Sequence, residues 1–197
     1  MAGRTVMVGS LGVGNGFPVR VESMLKTPLQ DLPGCLEEAR SLAEEGCELV
    51  RVAFPEVGLS RELSRLIEGS PIEVMADIHF DHRLAIRAID SGCRSVRINP
   101  GNMGGHRGMS ELSRAVRDNG VVVRIGANSG SLSRSQMEKA GGDAGRALFN
   151  AVSEQVGILL DWGVEEMILS AKSSSIKTTL RANSLIASTF EHPVHIG

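Results

Sequence analysis

The sequence predicts an α/β fold, a (β/α) barrel of parallel strands, on three observations. A helix-then-strand unit recurs along the chain, its strands are near-continuous in Val and Ile, and polar residues gather at the C-terminal ends of those strands. The unit reads EEG-CELVRVAFP at 44–55, DSG-CRSVRINPG at 90–101, DNG-VVVRIGANSG at 118–130 and DWG-VEEMILSAKSS at 161–174. Apolar strands alternating with amphipathic helices make a parallel sheet buried on both faces. A doubly wound sheet would put a glycine-rich phosphate loop at its first strand–helix turn, and ESMLKTPLQD at 22–31 is not glycine-rich. A barrel instead spreads its working residues over the ends of many strands.

The elements follow in order. The segment TVMVGSLGVGNGF reads as a tight hairpin that plugs the barrel bottom. Its glycines at 9, 12, 14 and 16 fit neither phosphate-loop spacing nor a strand–loop–helix context. Seven strands are expected, at 19–24, 49–54, 73–78, 95–99, 121–126, 166–171 and 194–197. Helical period places Leu36, Ala39, Leu42 and Ala43 on one face of 32–45. The same holds for Leu84, Ala85, Ala88 and Ile89 in 82–90, and for Val152, Val156, Leu159 and Leu160 in 143–161. Gly46, Gly92, Gly120 and Gly163 stand where left-handed helix ends are expected, and Gly69 with Pro71 is read in the same role. A closed barrel takes eight strands and about 250 residues. Residues 1–197 are therefore expected to form one incomplete barrel domain, truncated after about seven strands.

Bulk properties exclude several functions. The net charge is -2 with no basic block, and aromatics are scarce, which argues against nucleic acid and anionic membrane as partners. No apolar run approaches the ~20 residues of a membrane span, and no signal pattern opens the chain, so a cytoplasmic location is expected. The three cysteines, Cys35, Cys47 and Cys93, form no Cys-x-x-Cys pair and read as small buried residues, so no metal site is expected.

The strand ends carry the chemistry. Arg51, Arg97 and Arg124 each interrupt an apolar run on neighbouring repeat units, and a buried arginine needs an anionic partner. In a barrel the three converge on one interior. Asp77 is expected to neutralise only one of them, which leaves positive charge for a diphosphate. Asn99, Asn102 and Asn128 follow the arginines, and Ser170 and Lys172 end the sixth strand. Gly101, Gly126 and Gly130 are expected to let backbone N–H groups approach the anion. His79, two residues after Asp77, is either an acid/base or substrate-contact residue or a packed histidine. His195 is a weaker candidate at the chain end. His82, His106 and His192 read as surface residues. The serines of 170–175 are expected to cap a helix over 174–190.

The strings VGSLGVGNGFPVRVESM, GCELVRVAFP, ADIHFDHRLAIRA, RINPGN, RIGANSGSL, ILSAKSSS and PVHIG, in that order, resemble 4-hydroxy-3-methylbut-2-enyl diphosphate synthase of isoprenoid biosynthesis. The resemblance implies a TIM-like barrel that binds 2-C-methyl-D-erythritol 2,4-cyclodiphosphate. It implies that Arg51, Arg97, Arg124, Asn128 and Lys172 grip the diphosphate, and that Asp77, His79, Asn99, Asn102 and Ser170 line the mouth. It also implies an oxidoreductase with a [4Fe-4S] cluster in a further domain, fed by ferredoxin or flavodoxin. Cys35, Cys47 and Cys93 do not match the cluster ligands, so this stretch alone is expected to be inactive. A non-catalytic phosphate-binding relic, or another barrel enzyme without a cluster, is the alternative. Self-association is expected from open sheet edges. Glu22 stands where that family usually has Gln, and Leu25-Lys26 replaces its Thr-Asn. The extra carboxylate either repels a diphosphate or pairs with Lys26. Ser129 and Ser173 replace Ala, which are mild changes.

Overall fold

Gly9 and Ser10 form a two-residue turn, with Gly9 at φ 58 as such turns demand. The turn joins β1 (Thr5–Val8) to β2 (Leu11–Gly14) in an antiparallel hairpin. The chain is described over residues 3–197 by a computed structural model. Alternation along β1 buries Val6 and Val8 on one face. Those two pack with Leu49, Met75, Val122 and Ile168, which come from four different strands of the main sheet. The hairpin is thus a plug under the sheet's inner face, as its sequence predicts.

The main sheet has seven strands, all parallel and in chain order. They are β3 (Glu22–Met24), β4 (Leu49–Ala53), β5 (Glu73–Asp77), β6 (Ser95–Arg97), β7 (Val122–Asn128), β8 (Met167–Lys172) and β9 (Val194–His195). The sheet is curled so strongly that side chains from its two unpaired edges touch: His195 on β9 comes within 3.5 Å of Glu22 on β3. Helices cover the outer face: α1 (Leu32–Glu44), α2 (Ser60–Gly69), α3 (His82–Asp90), α4 (Gly105–Asn119), α5 (Arg134–Lys139), α6 (Ala144–Asp161) and α7 (Ile176–Thr189). Outward strand residues such as Val50, Val74, Val96 and Val123 pack there against Leu63, Ala85, Leu112 and Val152. Non-polar burial of this kind contributes about 25 cal/mol per Å². It fixes which face of each strand is left to point inward.

The expected boundaries hold to within a few residues, with physical reasons for the shifts. β3 begins at Glu22 rather than 19 because Val19, just after Pro18, is 95% exposed at the sheet edge. β6 stops at Arg97 because Asn99 and Pro100 turn the chain into a short 3-10 segment. β7 runs on to Asn128, paired throughout with β8. Gly46, Gly92, Gly120 and Gly163 have the expected positive φ. Gly69 does not: it lies in α2, which ends at extended Ser70, the conformation imposed by the following Pro71. His82 and His192 are half-buried rather than on the surface. His82 sits between Asp81 and Glu111, and His192 contacts Glu165 and Arg4. His106 is exposed and packs edge-on against Trp162.

Candidate functional site

The inward residues at the C-terminal ends of the strands enclose a cavity of about 300 Å³. Arg51, His79, Arg97, Asn99, Asn102, Arg124, Asn128, Ser170 and Lys172 all line it. Sequence reasoning named each of these nine. The tenth, Asp77, lies just beneath and is almost fully buried. Register explains the convergence. Asp77 on β5 pairs with Arg97 on β6, and Arg97 with Arg124 on β7, so the three inward positions lie in one row.

Asp77 holds two arginines rather than the one expected. Arg51 Nη2 donates to its Oδ2 at 3.0 Å, and Arg97 Nη1 to its Oδ1 at 3.1 Å. A buried carboxylate has lone pairs for two guanidinium donors, and the curl of the sheet brings both within reach. Arg97 Nη1 also lies 3.1 Å from His79 Nδ1, which must accept because a guanidinium only donates.

Glu22 does not pair with Lys26, one of the two readings left open by the sequence. It turns inward and meets Arg124 Nη1, Arg51 Nη1 at 3.5 Å and His195 Nε2 at 3.5 Å. The Lys26 backbone N–H donates to Glu38 instead. Arg124 Nη2 donates to His195 Nδ1 at 2.9 Å. Ser170 Oγ lies 3.2 Å from the same nitrogen. His195, the weaker candidate, is therefore part of the floor of the site. The signal for both residues was faint, since each lies on a two- or three-residue strand at a sheet edge.

Burial pushes the Arg124 pKa down, and the Glu22 carboxylate opposes that shift. Burial, reinforced by the Arg124 charge, pushes His195 down to about 4, so this imidazole is neutral at pH 7. Lys172 is exposed at the rim and makes no ion pair among the described residues. Four cationic side chains thus face two carboxylates, an excess of two positive charges.

The glycines play a different part from the expected one. The N–H groups of Gly101 and Gly130 donate to Asn99 Oδ1 at 3.2 Å and Asn128 Oδ1 at 3.1 Å. Those asparagines close tight turns on themselves, so these two N–H groups are already engaged. Gly126 serves close packing: a Cβ there would stand 2.6 Å from the Ser170 carbonyl oxygen. At the next helix, Ser175 is the serine that caps α7, accepting from Thr178 N–H.

The family model for the GcpE TIM-barrel domain matches residues 3–197. The chain belongs to that family. The chain is 38% identical over 194 residues to 4-hydroxy-3-methylbut-2-en-1-yl diphosphate synthase (flavodoxin) of Maridesulfovibrio salexigens, covering 98% of this chain and 54% of that protein. The synthase of the same name from Magnetococcus marinus is also 38% identical, with 98% and 52% covered. The chain thus spans about half the length of the curated relatives it matches. Among solved structures, 3-dehydroquinate dehydratase from Geobacillus kaustophilus superposes with a TM-score of 0.71 at 13% identity, over 98% of this chain and 78% of that one. A truncated 3-deoxy-D-arabino-heptulosonate 7-phosphate synthase from Thermotoga maritima gives 0.69 at 14% identity, over 98% and 69%. Those two likenesses show the TIM-type fold alone.

The cysteines of this chain do not fit an iron–sulfur cluster. Cys35 and Cys47 point their thiols at backbone carbonyls, and burial pushes the Cys93 thiol up to about 12. Among the described residues no group of three His, Cys, Asp or Glu side chains is placed to hold a metal ion. No helix of the described residues is long and apolar enough to cross a membrane.

Proposed function

We propose that this barrel binds 2-C-methyl-D-erythritol 2,4-cyclodiphosphate and presents it for reductive ring opening to 4-hydroxy-3-methylbut-2-enyl diphosphate. The observation that carries the reading is the cavity in which Arg51, Arg97, Arg124 and Lys172 converge with an excess of two positive charges. In this reading Arg97 and Lys172 grip the phosphates from the rim, and Arg51 reaches them from below. Asn99, Asn102, Asn128 and His79 orient the sugar carbon skeleton, Asp77 holds two of the arginines in place, and Ser170 holds the His195 ring. Guanidinium forks suit this task because they bind two phosphate oxygens at once. The family names support flavodoxin as the electron donor. A [4Fe-4S] cluster serving that step would be held by residues other than Cys35, Cys47 and Cys93.

Isothermal titration with the cyclodiphosphate tests the reading. The protein is expected to bind it, and Lys172→Met to weaken binding by about tenfold, a loss of ~1.4 kcal/mol. Lys172 is exposed and unpaired, so its removal leaves the fold intact. No binding by the wild type, or equal binding by the variant, would overturn the proposal. We also propose that this stretch of 197 residues, taken alone, self-associates through the unpaired edges β3 and β9, beside exposed Val19, Val21 and Ile196. A single monomeric species in sedimentation equilibrium at high concentration would contradict that.

A further inference from the structure

We infer that Glu22 sets the charge this site accepts, favouring a dianionic cyclic diphosphate over an open-chain one and so hastening release of the ring-opened product. The inference rests on the substrate class proposed above and adds a residue that discriminates between the two ends of that reaction.

The geometry begins with Arg124, the most buried of the three arginines, with a side chain 6% exposed. Both of its terminal nitrogens are occupied. Nη1 faces Glu22 and Nη2 donates to His195. Each terminal nitrogen thus spends an N–H inside the protein, and with so little of its side chain exposed Arg124 presents less donor surface to a ligand while Glu22 stays on it. Glu22 is itself only 11% exposed and also touches Arg51. Its charge is spent inside the site, where low dielectric makes each unpaired charge costly. With Glu22 and Asp77 in place, the four cations leave two positive charges to be met by the ligand.

The chemistry of the ligand supplies the other half. In a cyclic diphosphate each phosphorus carries one ionised oxygen, two negative charges in all. Ring opening breaks one C–O bond and leaves the oxygen on phosphorus. That phosphorus becomes a terminal phosphate with a second ionisable oxygen, whose pKa is about 6. The product therefore carries close to three charges at neutral pH. The site matches two charges, so the third meets Glu22 with no cation to spare. A glutamine in its place would leave Arg124 uncompensated and the site matched to the more charged ligand.

The test compares two probes by isothermal titration at pH 7.5: 2-C-methyl-D-erythritol 2,4-cyclodiphosphate and dimethylallyl diphosphate, an open-chain alkyl diphosphate. The wild type is expected to prefer the cyclic probe. Glu22→Gln is expected to shrink that preference by about tenfold (~1.4 kcal/mol), through tighter binding of the open-chain probe. Glu22→Asp, which keeps the charge, should retain the preference. An unchanged ratio in folded Glu22→Gln would overturn the inference while leaving the proposed function standing. A wild type that binds the open-chain probe as tightly as the cyclic one would overturn it even if Glu22→Gln fails to fold. Failure of the wild type to bind either probe would remove the proposed function and this inference together.

Discussion

Asp77 is the keystone of the cationic cluster, and Asp77→Asn shows what it holds. The side chain is 3% exposed and accepts from Arg51 at 3.0 Å and from Arg97 at 3.1 Å. Asparagine has the same shape but no charge, and it turns an amide donor toward one of the two guanidinium groups. One arginine keeps an acceptor and the other faces a donor. Breaking a buried ion pair by removing one partner costs about 3–5 kcal/mol. The retained amide acceptor sets the expectation near the lower end, at about 3 kcal/mol. For a chain of this size that lowers Tm by roughly 6–12 °C. The assay is urea unfolding followed by circular dichroism, with the m-value checked so that only stability is compared. A loss under about 1 kcal/mol would refute the view that Asp77 neutralises both arginines, since surface changes of no consequence fall in that range.

Two further outcomes follow from the same geometry. The pKa of His195 is held down to about 4, whereas the unfolded chain takes up that proton near the ordinary value of 6.5. Stability is therefore highest above the ordinary value and is lost as pH falls from there toward about 4. Urea midpoints measured at pH 7.5 and 5 should show a smaller acid-induced drop in His195→Gln than in the wild type, and equal drops would contradict the shift. Gly126→Ala puts a methyl group 2.6 Å from the Ser170 backbone oxygen, so β7 and β8 must part. A stability loss of about 1–3 kcal/mol is expected by thermal melting, and an unchanged Tm would show that the strands yield freely.

Much of this was legible in the sequence, because buried parallel strands leave a plain mark. An arginine inside a Val/Ile run is conspicuous, and the recurrence of Arg51, Arg97 and Arg124 on neighbouring units fixes their common face once the unit is recognised. The pairing between them was not legible. That Asp77 reaches two arginines depends on the curl of the sheet, which no local pattern reports. Glu22 and His195 lie 173 positions apart and meet only because the sheet edges approach one another. The N–H groups of Gly101 and Gly130 were misread for a simpler reason. The Asn two residues before each glycine closes a turn on it, a local side-chain acceptor that takes up the N–H.

The most direct test is a crystal structure of the protein with 2-C-methyl-D-erythritol 2,4-cyclodiphosphate. The account predicts both phosphates in the strand-end cavity, with oxygens about 2.7–2.9 Å from donors of Arg97 and Lys172 and with Glu22 still on Arg124. Ligand density anywhere else, or phosphates seated on Arg124 with Glu22 displaced, would contradict it.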